Sequence, residues 1–444
     1  MKKSSILMVL LSVMLGNSYA QEKTNQHNFT IQQCIDYATK NNVQVKNALL
    51  NVQIQKQSNR GVTSAALPTI TGNIAGTKYF NTPVQIIPQG AFGSPKDMAT
   101  NFSLPYNSTA SIQLQQLLFD GQVFVGLQAR KTSMDFQSKN LEVTEEAIKT
   151  NIEKIYYQLV VSKTQIKLLE ANIDRLEKLS HDTKELYKNG FAEKLDVNKV
   201  DVQLTNLKTQ KISVQNKIDI GYLGLKTLIG MPVKDFLTLT DTISESQIKE
   251  VILQDAPYKY DDRKEYQYAL LGKKLNEYNI KRYKLSYLPT VALNGTYAQQ
   301  AYRHKNTFLE GGMWYQASWV GLNISVPIFS GFARDAKVQQ SKLELQQTKN
   351  NIENLKLTID NEVEQAKLNI KSAIATIDFQ KQNMALAETV YDQTKKKYEG
   401  GTGSNTEITA AETDLITAQT NYVSALYDAV IAKIDYLKAI GKLP

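Results

Sequence analysis

The sequence is poor in helix-breaking residues and has no cysteine pair to cross-link a fold. Its 444 residues include 22 glycines, 10 prolines and one cysteine, Cys34. A single cysteine cannot form a disulfide within the chain, so packing must hold the fold together. The three histidines lie far apart, without metal-ligand spacing, and no phosphate-binding glycine loop or nucleophile motif is present. We therefore expect no enzyme, no cofactor and no metal site.

Charge of one sign and long apolar runs are also scarce. The formal net charge is +9, but lysine alternates with glutamate and aspartate along the chain. No basic cluster carries interleaved aromatic residues, which argues against a nucleic-acid partner and favours solvated helix faces. Beyond the first 20 residues, no apolar run approaches the roughly 18 residues of a membrane-spanning helix. If this chain crosses a membrane, strands must cross it.

The first 20 residues have the pattern of a secretory signal peptide. Two lysines precede an apolar run, and small residues at Ser18 and Ala20 mark a cleavage site. We expect an exported protein that begins near Gln21, with one domain over residues 21–444. Cys34 lies too far downstream to carry a lipid anchor, so a buried, small apolar role is expected for it.

The chain contains one sequence unit written twice. Leu-Pro-Thr occurs at Pro68 and Pro289, and Phe-x-Gly ends at Gly121 and Gly331. The separation between copies falls from 221 residues at the prolines to 210 at these glycines, so the first copy carries an insertion between its two landmarks. The predicted repeats are 30–230 and 260–441, with a linker at about 231–259.

Each copy predicts long helices. Apolar residues keep the alternating three-four spacing of a coiled-coil seam over 141–176 and again over 352–384. Each long helix should end at a turn with glycine, Gly190 or Gly401, followed by a second amphipathic helix that returns. A shorter helix is predicted before each Leu-Pro pair, at about 31–65 and 262–287. The copies are therefore predicted to be antiparallel helical hairpins.

Between the Leu-Pro and Phe-x-Gly landmarks the apolar period changes to two. This pattern predicts strands at about 68–80, 108–118, 290–300 and 316–327. Each has the length of a tilted transmembrane strand, with an apolar face for lipid and a polar face for water. Trp314, Tyr315 and Trp319 suit either an aromatic belt at the membrane interface or a buried cluster. Because four strands cannot close a barrel and open edges in lipid are costly, several chains must share one barrel.

These features together resemble the TolC family of outer-membrane efflux proteins. The opening Phe29-Thr30-Ile31-Gln32-Gln33-Cys34-Ile35-Asp36-Tyr37-Ala38 is similar to the family's first helix, and the order of the repeated landmarks is similar over nearly the whole chain. The resemblance implies a mainly α fold with a membrane β part. It further implies a homotrimer in the outer membrane of a Gram-negative bacterium, with twelve shared strands and a helical tunnel in the periplasm.

The resemblance also implies a functional site at the hairpin tips, residues 187–196 and 398–407. There the periplasmic entrance would meet an adaptor protein and, through it, an inner-membrane pump. The implied tip residues are Tyr187, Gly190, Asp196, Tyr398, Gly401 and Glu407. Tyr398 would bond Asp196 to close the entrance, and Glu407 would belong to an acidic ring. Gly190 and Gly401 are equally explained as helix-ending residues, and the two acids as first-turn residues favoured by the helix dipole.

The expected function is therefore passive conduction as the exit duct of a tripartite efflux system. A duct for type I protein secretion has the same architecture, and the sequence does not discriminate between the two. A periplasmic coiled-coil structural protein is the alternative of another class, since heptads alone would serve it. A rod of that kind has no use for the period-two segments between the landmarks.

Overall fold

A computed structural model describes residues 25–243, 245–249, 258–307 and 312–443. The expected signal peptide at 1–20 lies outside these residues, as do parts of the expected linker, at 244 and 250–257. Among the helices in the described part of the chain, none combines the length and the hydropathy that a membrane crossing needs.

The chain divides into two compact units, each built from separate segments. We call Met1–Asn47, Glu142–Arg263 and Thr358–Pro444 the hairpin unit, and Ala48–Leu141 with Lys264–Leu357 the sheet unit. In chain order, the elements are β1 (Gln26–Phe29), α1 (Ile31–Asn41), α2 (Val43–Ser64), β2 (Thr69–Lys78), β3 (Gln85–Ile87), β4 (Met98–Thr100), β5 (Tyr106–Phe119), α3 (Gly121–Lys188), α4 (Lys194–Ile229), β6 (Phe236–Leu239), α5 (Glu245–Lys249), α6 (Lys264–Leu285), β7 (Thr290–Arg303), β8 (Tyr315–Ser325), α7 (Ala333–Glu399) and α8 (Asn405–Ala439). The prediction of a mainly helical chain with a small strand component is confirmed.

The sheet unit contains a four-stranded antiparallel sheet in the order β2-β5-β7-β8. The first copy contributes β2 and β5, and the second contributes β7 and β8, so the copies join at the β5–β7 pair. The insertion of the first copy lies between β2 and β5 and forms the small antiparallel pair β3–β4. Within the described residues, β2 and β8 each have a strand neighbour on one side only.

The strand register separates the sheet into an apolar and a polar face. Residues opposite each other in antiparallel strands share a face, and Ile70 lies opposite Leu114, which lies opposite Gly295. The apolar face carries Ile70, Ile74, Ile112, Leu114, Leu293, Val320, Leu322 and Ile324, and the polar face carries Thr71, Asn73, Gln113, Gln115, Asn294 and Thr296. The apolar–polar alternation predicted for each strand separately is thus continuous across all four strands of the sheet.

Two of the three aromatic residues noted near the start of β8, Tyr315 and Trp319, lie on the polar face of the sheet. Trp319 lies opposite Thr296, and Tyr315 lies opposite Gln300, so both belong to the polar face. The two side chains are 54% and 53% exposed in the protomer. A buried cluster within the protomer is therefore wrong for this pair, whose odd-numbered side chains point to the face opposite Val320. The aromatic belt at the membrane interface stays a prediction.

The two Phe-x-Gly landmarks need glycine for different reasons. A Cβ at Gly121 would lie 2.7 Å from the carbonyl oxygen of Leu285, so the start of α3 can approach the end of α6 only without a side chain. At Gly331 there is open space, but φ is +59°, in the left-handed region. The same motif thus serves close packing in one copy and a backbone turn in the other.

In the hairpin unit, Asn42 divides the helix that the sequence predicts over 31–65. Its side-chain oxygen accepts hydrogen bonds from the backbone N–H groups of Gln44 (2.7 Å) and Val45 (3.1 Å). Its amide donates to the Leu228 carbonyl oxygen at 2.7 Å. The single-helix prediction is wrong here, because an asparagine that caps α2 and ties it to α4 ends α1 one residue earlier.

The helix ends Gly230 and Gly441 repeat one packing arrangement. Both have positive φ, +75° and +71°. A Cβ at Gly230 would lie 2.6 Å from the Asn41 carbonyl oxygen, and one at Gly441 would lie 2.7 Å from that of Asp262. In each copy, the end of the return helix therefore closes against the chain that begins the same repeat.

The core of the hairpin unit is the predicted apolar seam. Buried residues along α3 and α7 follow the three-four spacing: Ile148, Ile152, Leu159, Leu169, Ile173, Leu176, Ile359, Ala366, Ile370 and Ile377. Tyr156 is fully buried, and its hydroxyl donates to Asp241 at 2.9 Å. Cys34 is also fully buried, and burial raises the pKa of its thiol to about 12. The expectation of a buried apolar role for this cysteine is confirmed.

Candidate functional site

The two hairpin tips, 187–196 and 398–407, are built alike from their backbones upward. α3 ends with Gly190 at φ +81°, and α7 ends with Gly401 at φ +74°. Phe191 N–H donates to the Leu186 carbonyl at 2.8 Å, and Thr402 N–H donates to the Lys397 carbonyl at 3.0 Å. These bonds, with those from the glycine N–H groups to the carbonyls of Tyr187 and Tyr398, define a Schellman motif at each tip. The landmark tyrosines and glycines thus hold equivalent backbone positions.

The acidic residues of the tips lie in the first turns of the helices that return. The Asp196 carboxylate accepts a hydrogen bond from the Glu193 N–H at the start of α4, at 3.3 Å. Glu407 lies in the first turn of α8, and its backbone N–H donates to the Ser404 hydroxyl at 3.2 Å. Its carboxylate also forms an ion pair with Lys397 at 3.3 Å. Both acids lie where the helix dipole favours negative charge, and Glu407 is partly neutralised.

Polar contacts join one hairpin to the other near the tips. The Asn405 side-chain amide donates to the Asp196 carboxylate at 3.1 Å and to the Asp196 carbonyl at 3.2 Å. The Tyr398 and Thr183 hydroxyls are 3.3 Å apart and share a hydrogen bond. The Gln203 amide donates to the Thr413 hydroxyl at 2.9 Å. Each contact links a residue of α3 or α4 to one of α7 or α8.

The structure gives Tyr398 and Asp196 different partners from those expected. Both line the same cleft, but Tyr398 bonds Thr183 and Asp196 bonds Asn405. Asn405 is the first residue of α8 and lies beside the first turn of α4. Its side-chain amide therefore donates to the Asp196 carboxylate in the place expected for Tyr398. Neither Thr183 nor Asn405 was expected from the sequence. Thr183 lies on the same face of α3 as the buried apolar seam and is itself fully buried. A polar residue at a seam position indicates a buried hydrogen bond, so the sequence did offer a signal for Thr183.

The tips enclose a cleft of about 1130 Å³ between the two hairpins. Among the expected tip residues, Gly190, Asp196, Tyr398 and Gly401 line it, while Tyr187 and Glu407 are not among its lining residues. Tyr187 instead lies under the Lys194 ammonium group, 5.6 Å from the ring centre.

Two apolar side chains at the first tip are open to solvent in the protomer. Phe191 is 81% exposed and Leu195 is 56% exposed.

The repeat landmarks lie elsewhere in the chain: Pro68 and Pro289 directly precede β2 and β7, Gly121 begins α3, and Gly331 precedes α7.

A family model described as outer membrane efflux protein matches residues 34–231 and 268–442. Outer membrane protein TolC of Vibrio cholerae is 18% identical over 340 residues, which span 76% of this chain and 77% of that protein. Alkaline protease secretion protein AprF of Pseudomonas aeruginosa is 20% identical over 416 residues, 91% of this chain and 82% of AprF. The crystal structure of the outer membrane protein VceC from Vibrio cholerae superposes with a TM-score of 0.75 at 15% identity, covering 93% of this chain and 96% of VceC.

Proposed function

Because the chain belongs to the outer membrane efflux protein family, we propose that it is the outer-membrane exit duct of a tripartite efflux system. The observation that carries this proposal is the sheet whose register sets apolar side chains on one face and uncharged polar side chains on the other. A lipid-facing and a water-facing surface are what a wall strand of a channel needs. Transport is passive conduction through the polar interior, and no catalysis is assigned to the chain.

The duct is proposed to be a homotrimer with one shared barrel. The edge strands β2 and β8 have backbone groups that lipid cannot satisfy, at a cost of several kcal/mol for each unpaired group. Pairing β2 of one copy with β8 of the next satisfies both edges. Twelve strands from three copies then close the wall, as the family resemblance implies.

The helices support the same assembly. Along α4, Val202, Ile212 and Ile220 are 59%, 72% and 58% exposed in the protomer. Along the hairpin-unit part of α7, Leu368 and Phe379 are 68% and 69% exposed. Large apolar side chains in rows are usually covered in the working molecule. Neighbouring copies would cover them and complete a helical tunnel in the periplasm.

The hairpin tips are proposed as the periplasmic entrance and as the surface for a periplasmic adaptor that links the duct to an inner-membrane pump. Exposed Phe191 and Leu195, rimmed by charged residues such as Glu193 and Lys194, have the apolar centre and polar rim of a protein interface. Energy for transport would come from the pump. Opening would follow when the partners bind the separated tips more tightly than the joined ones.

A duct for type I protein secretion is the second candidate. The similarity to AprF, over 91% of this chain, supports it. Both candidates use the same passive duct, so the inner-membrane partner decides between them. Co-purification of the adaptor and pump with this chain, followed by identification of the pump class, separates the two.

Breaking the contacts between the tips is expected to open the entrance. The double variant Tyr398→Phe, Asn405→Ala removes three hydrogen bonds, each worth about 0.5–1.5 kcal/mol, and leaves the Asp196 cap of α4 intact. We expect single-channel conductance in planar bilayers to rise several-fold over that of the parent protein. The matched control is Lys208→Ala, which removes an ion pair of 2.7 Å to Glu177 inside one hairpin. Equal conductance in the parent and the double variant, or a rise in the control as well, would show that these contacts do not gate.

A further inference from the structure

A second polar cluster lies between the hairpins, deeper than the tips. The Asn172 amide on α3 donates to the Gln419 side-chain oxygen on α8 at 2.8 Å. The Arg175 guanidinium on α3 donates to Asn172 and stands over the Tyr391 ring of α7, 5.4 Å from its centre. Its Nε lies 3.9 Å from a carboxylate oxygen of Glu412 on α8. The cluster therefore joins the first hairpin to both helices of the second.

Glu412 is the unusual member of this cluster. It is 1% exposed, and no hydrogen bond of ordinary geometry from the described residues reaches its carboxylate oxygens; the Tyr391 hydroxyl supplies only a weak one. A buried carboxylate without full hydrogen bonding is costly when ionised. On α8 its neighbours Ile408 and Leu415 belong to the buried apolar stripe. A leucine at this place would pack without that cost, so the carboxyl group needs a reason other than stability.

The surroundings of Glu412 favour its neutral form. Burial raises the pKa of this carboxyl above its ordinary value of 4.5, and Arg175 on α3, with Tyr391 and Lys395 on α7, offsets only part of that effect. These three residues also line the cleft between the tips. The cluster is thus the inner end of the same cleft, and separation of the hairpins would bring water to the carboxyl.

We propose that Glu412 is a proton-operated lock of the entrance: protonated, it holds the two hairpins together, and ionised, it favours their separation. The inference rests on the proposed duct function and adds a regulation to it. Water entering the separated cleft would solvate the carboxylate, while Arg175 and Asn172 leave with the first hairpin. The lock acts within each protomer, because all of its groups belong to one chain.

The sign of the pH effect follows from linkage. A group with a higher pKa in the joined form binds its proton more tightly there, so low pH favours the joined form. The contribution of Glu412 to joining the two hairpins is therefore complete at pH values below the ordinary carboxyl pKa. It is lost as the pH rises through the raised pKa of the joined form. For each unit by which the Glu412 pKa of the joined form exceeds that of the separated form, the ratio of joined to separated forms changes by about tenfold across the window. Conductance should fall on acidification across this window.

The test is single-channel conductance of the full-length trimer against pH in planar bilayers, with Glu412→Gln as the variant. The amide has the size of the protonated acid and cannot ionise, so low conductance at every pH in the window is expected. The matched control is Asp414→Asn, two residues along α8 and exposed, which should retain the parent's pH dependence. Glu412→Gln with the parent's pH dependence, or with raised conductance, would overturn the lock. A parent protein that forms no channel would instead overturn the duct function itself.

A second measurement covers the case in which Glu412→Gln does not assemble. In a Cys34→Ala background, Gln419→Cys places a thiol at a position that is buried between the hairpins, and Asp414→Cys places one at an exposed position. Dividing the rate of maleimide labelling of the Gln419→Cys variant by that of the Asp414→Cys variant cancels the pH dependence of thiol ionisation. The lock predicts a ratio that rises several-fold as pH rises through the window. A ratio independent of pH would contradict it.

Discussion

Replacing Ile74 with arginine is expected to prevent assembly of the trimer in the outer membrane, whereas the same replacement at the neighbouring Asn73 should be tolerated. Ile74 lies mid-strand in β2, on the apolar face and 75% exposed in the protomer. Arginine facing lipid near the bilayer midplane costs about 2–4 kcal/mol, and three copies would each bear that cost. Asn73 points to the polar face, opposite Ser111, where water can solvate the new charge.

The measurement is the amount of heat-modifiable oligomer in outer-membrane fractions for the two variants and the parent protein. Both variants place an arginine in β2 at adjacent positions, so they differ only in the face of the sheet to which the arginine points. Loss of oligomer in both variants would mean that β2 tolerates no large side chain. Loss in Asn73→Arg alone would mean that the lipid and water faces are reversed.

Replacing Gly230 with alanine is expected to destabilise the hairpin unit strongly. A left-handed conformation costs a non-glycine residue about 1–2 kcal/mol, and the new Cβ would also meet the Asn41 carbonyl oxygen at 2.6 Å. Overpacking of that kind typically costs about 1–3 kcal/mol. The sum is a large fraction of the stability of an ordinary domain.

Gly190→Ala is the matched control, because φ is +81° there and no atom lies within 4 Å of the added Cβ. Only the conformational cost should remain. Thermal unfolding of the detergent-purified variants, followed by circular dichroism at the helix band, should give the larger drop in midpoint for Gly230→Ala. Equal drops would show that the close approach to Asn41 contributes nothing.

Local periodicity made the helices and the sheet predictable. The seam of α3 and α7 and the alternation in β5 and β8 are properties of consecutive residues, and a period of seven or two selects one kind of element. The direction of an individual side chain in a strand follows from parity alone, so Trp319 could have been set on the polar face by counting from Val320. The mainly α fold was accessible for the same reason, and the outer-membrane efflux family was accessible through the resemblance of the first helix and the repeated landmarks.

Contacts between distant segments were less accessible. Nothing local distinguishes Tyr398 bonding Asp196 from Tyr398 bonding Thr183, because the choice depends on how far α7 and α8 are rotated against α3 and α4. The break at Asn42 depends likewise on a hydrogen bond to Leu228, 186 residues away. Glu412 is a partial exception, since its three-four spacing from Ile408 and Leu415 sets it on the apolar stripe of α8, and only packing reveals which groups surround it.

A barrel shared by three copies underlies the proposed duct, and the subunit count of the detergent-extracted outer-membrane protein is its decisive test. Mass photometry, together with gel mobility before and after boiling, measures both the number of chains and the resistance of their assembly to detergent. A shared barrel predicts three chains per particle and a mobility shift on boiling. A monomer or dimer that is released from cells without detergent would contradict it and leave a periplasmic coiled-coil protein in its place.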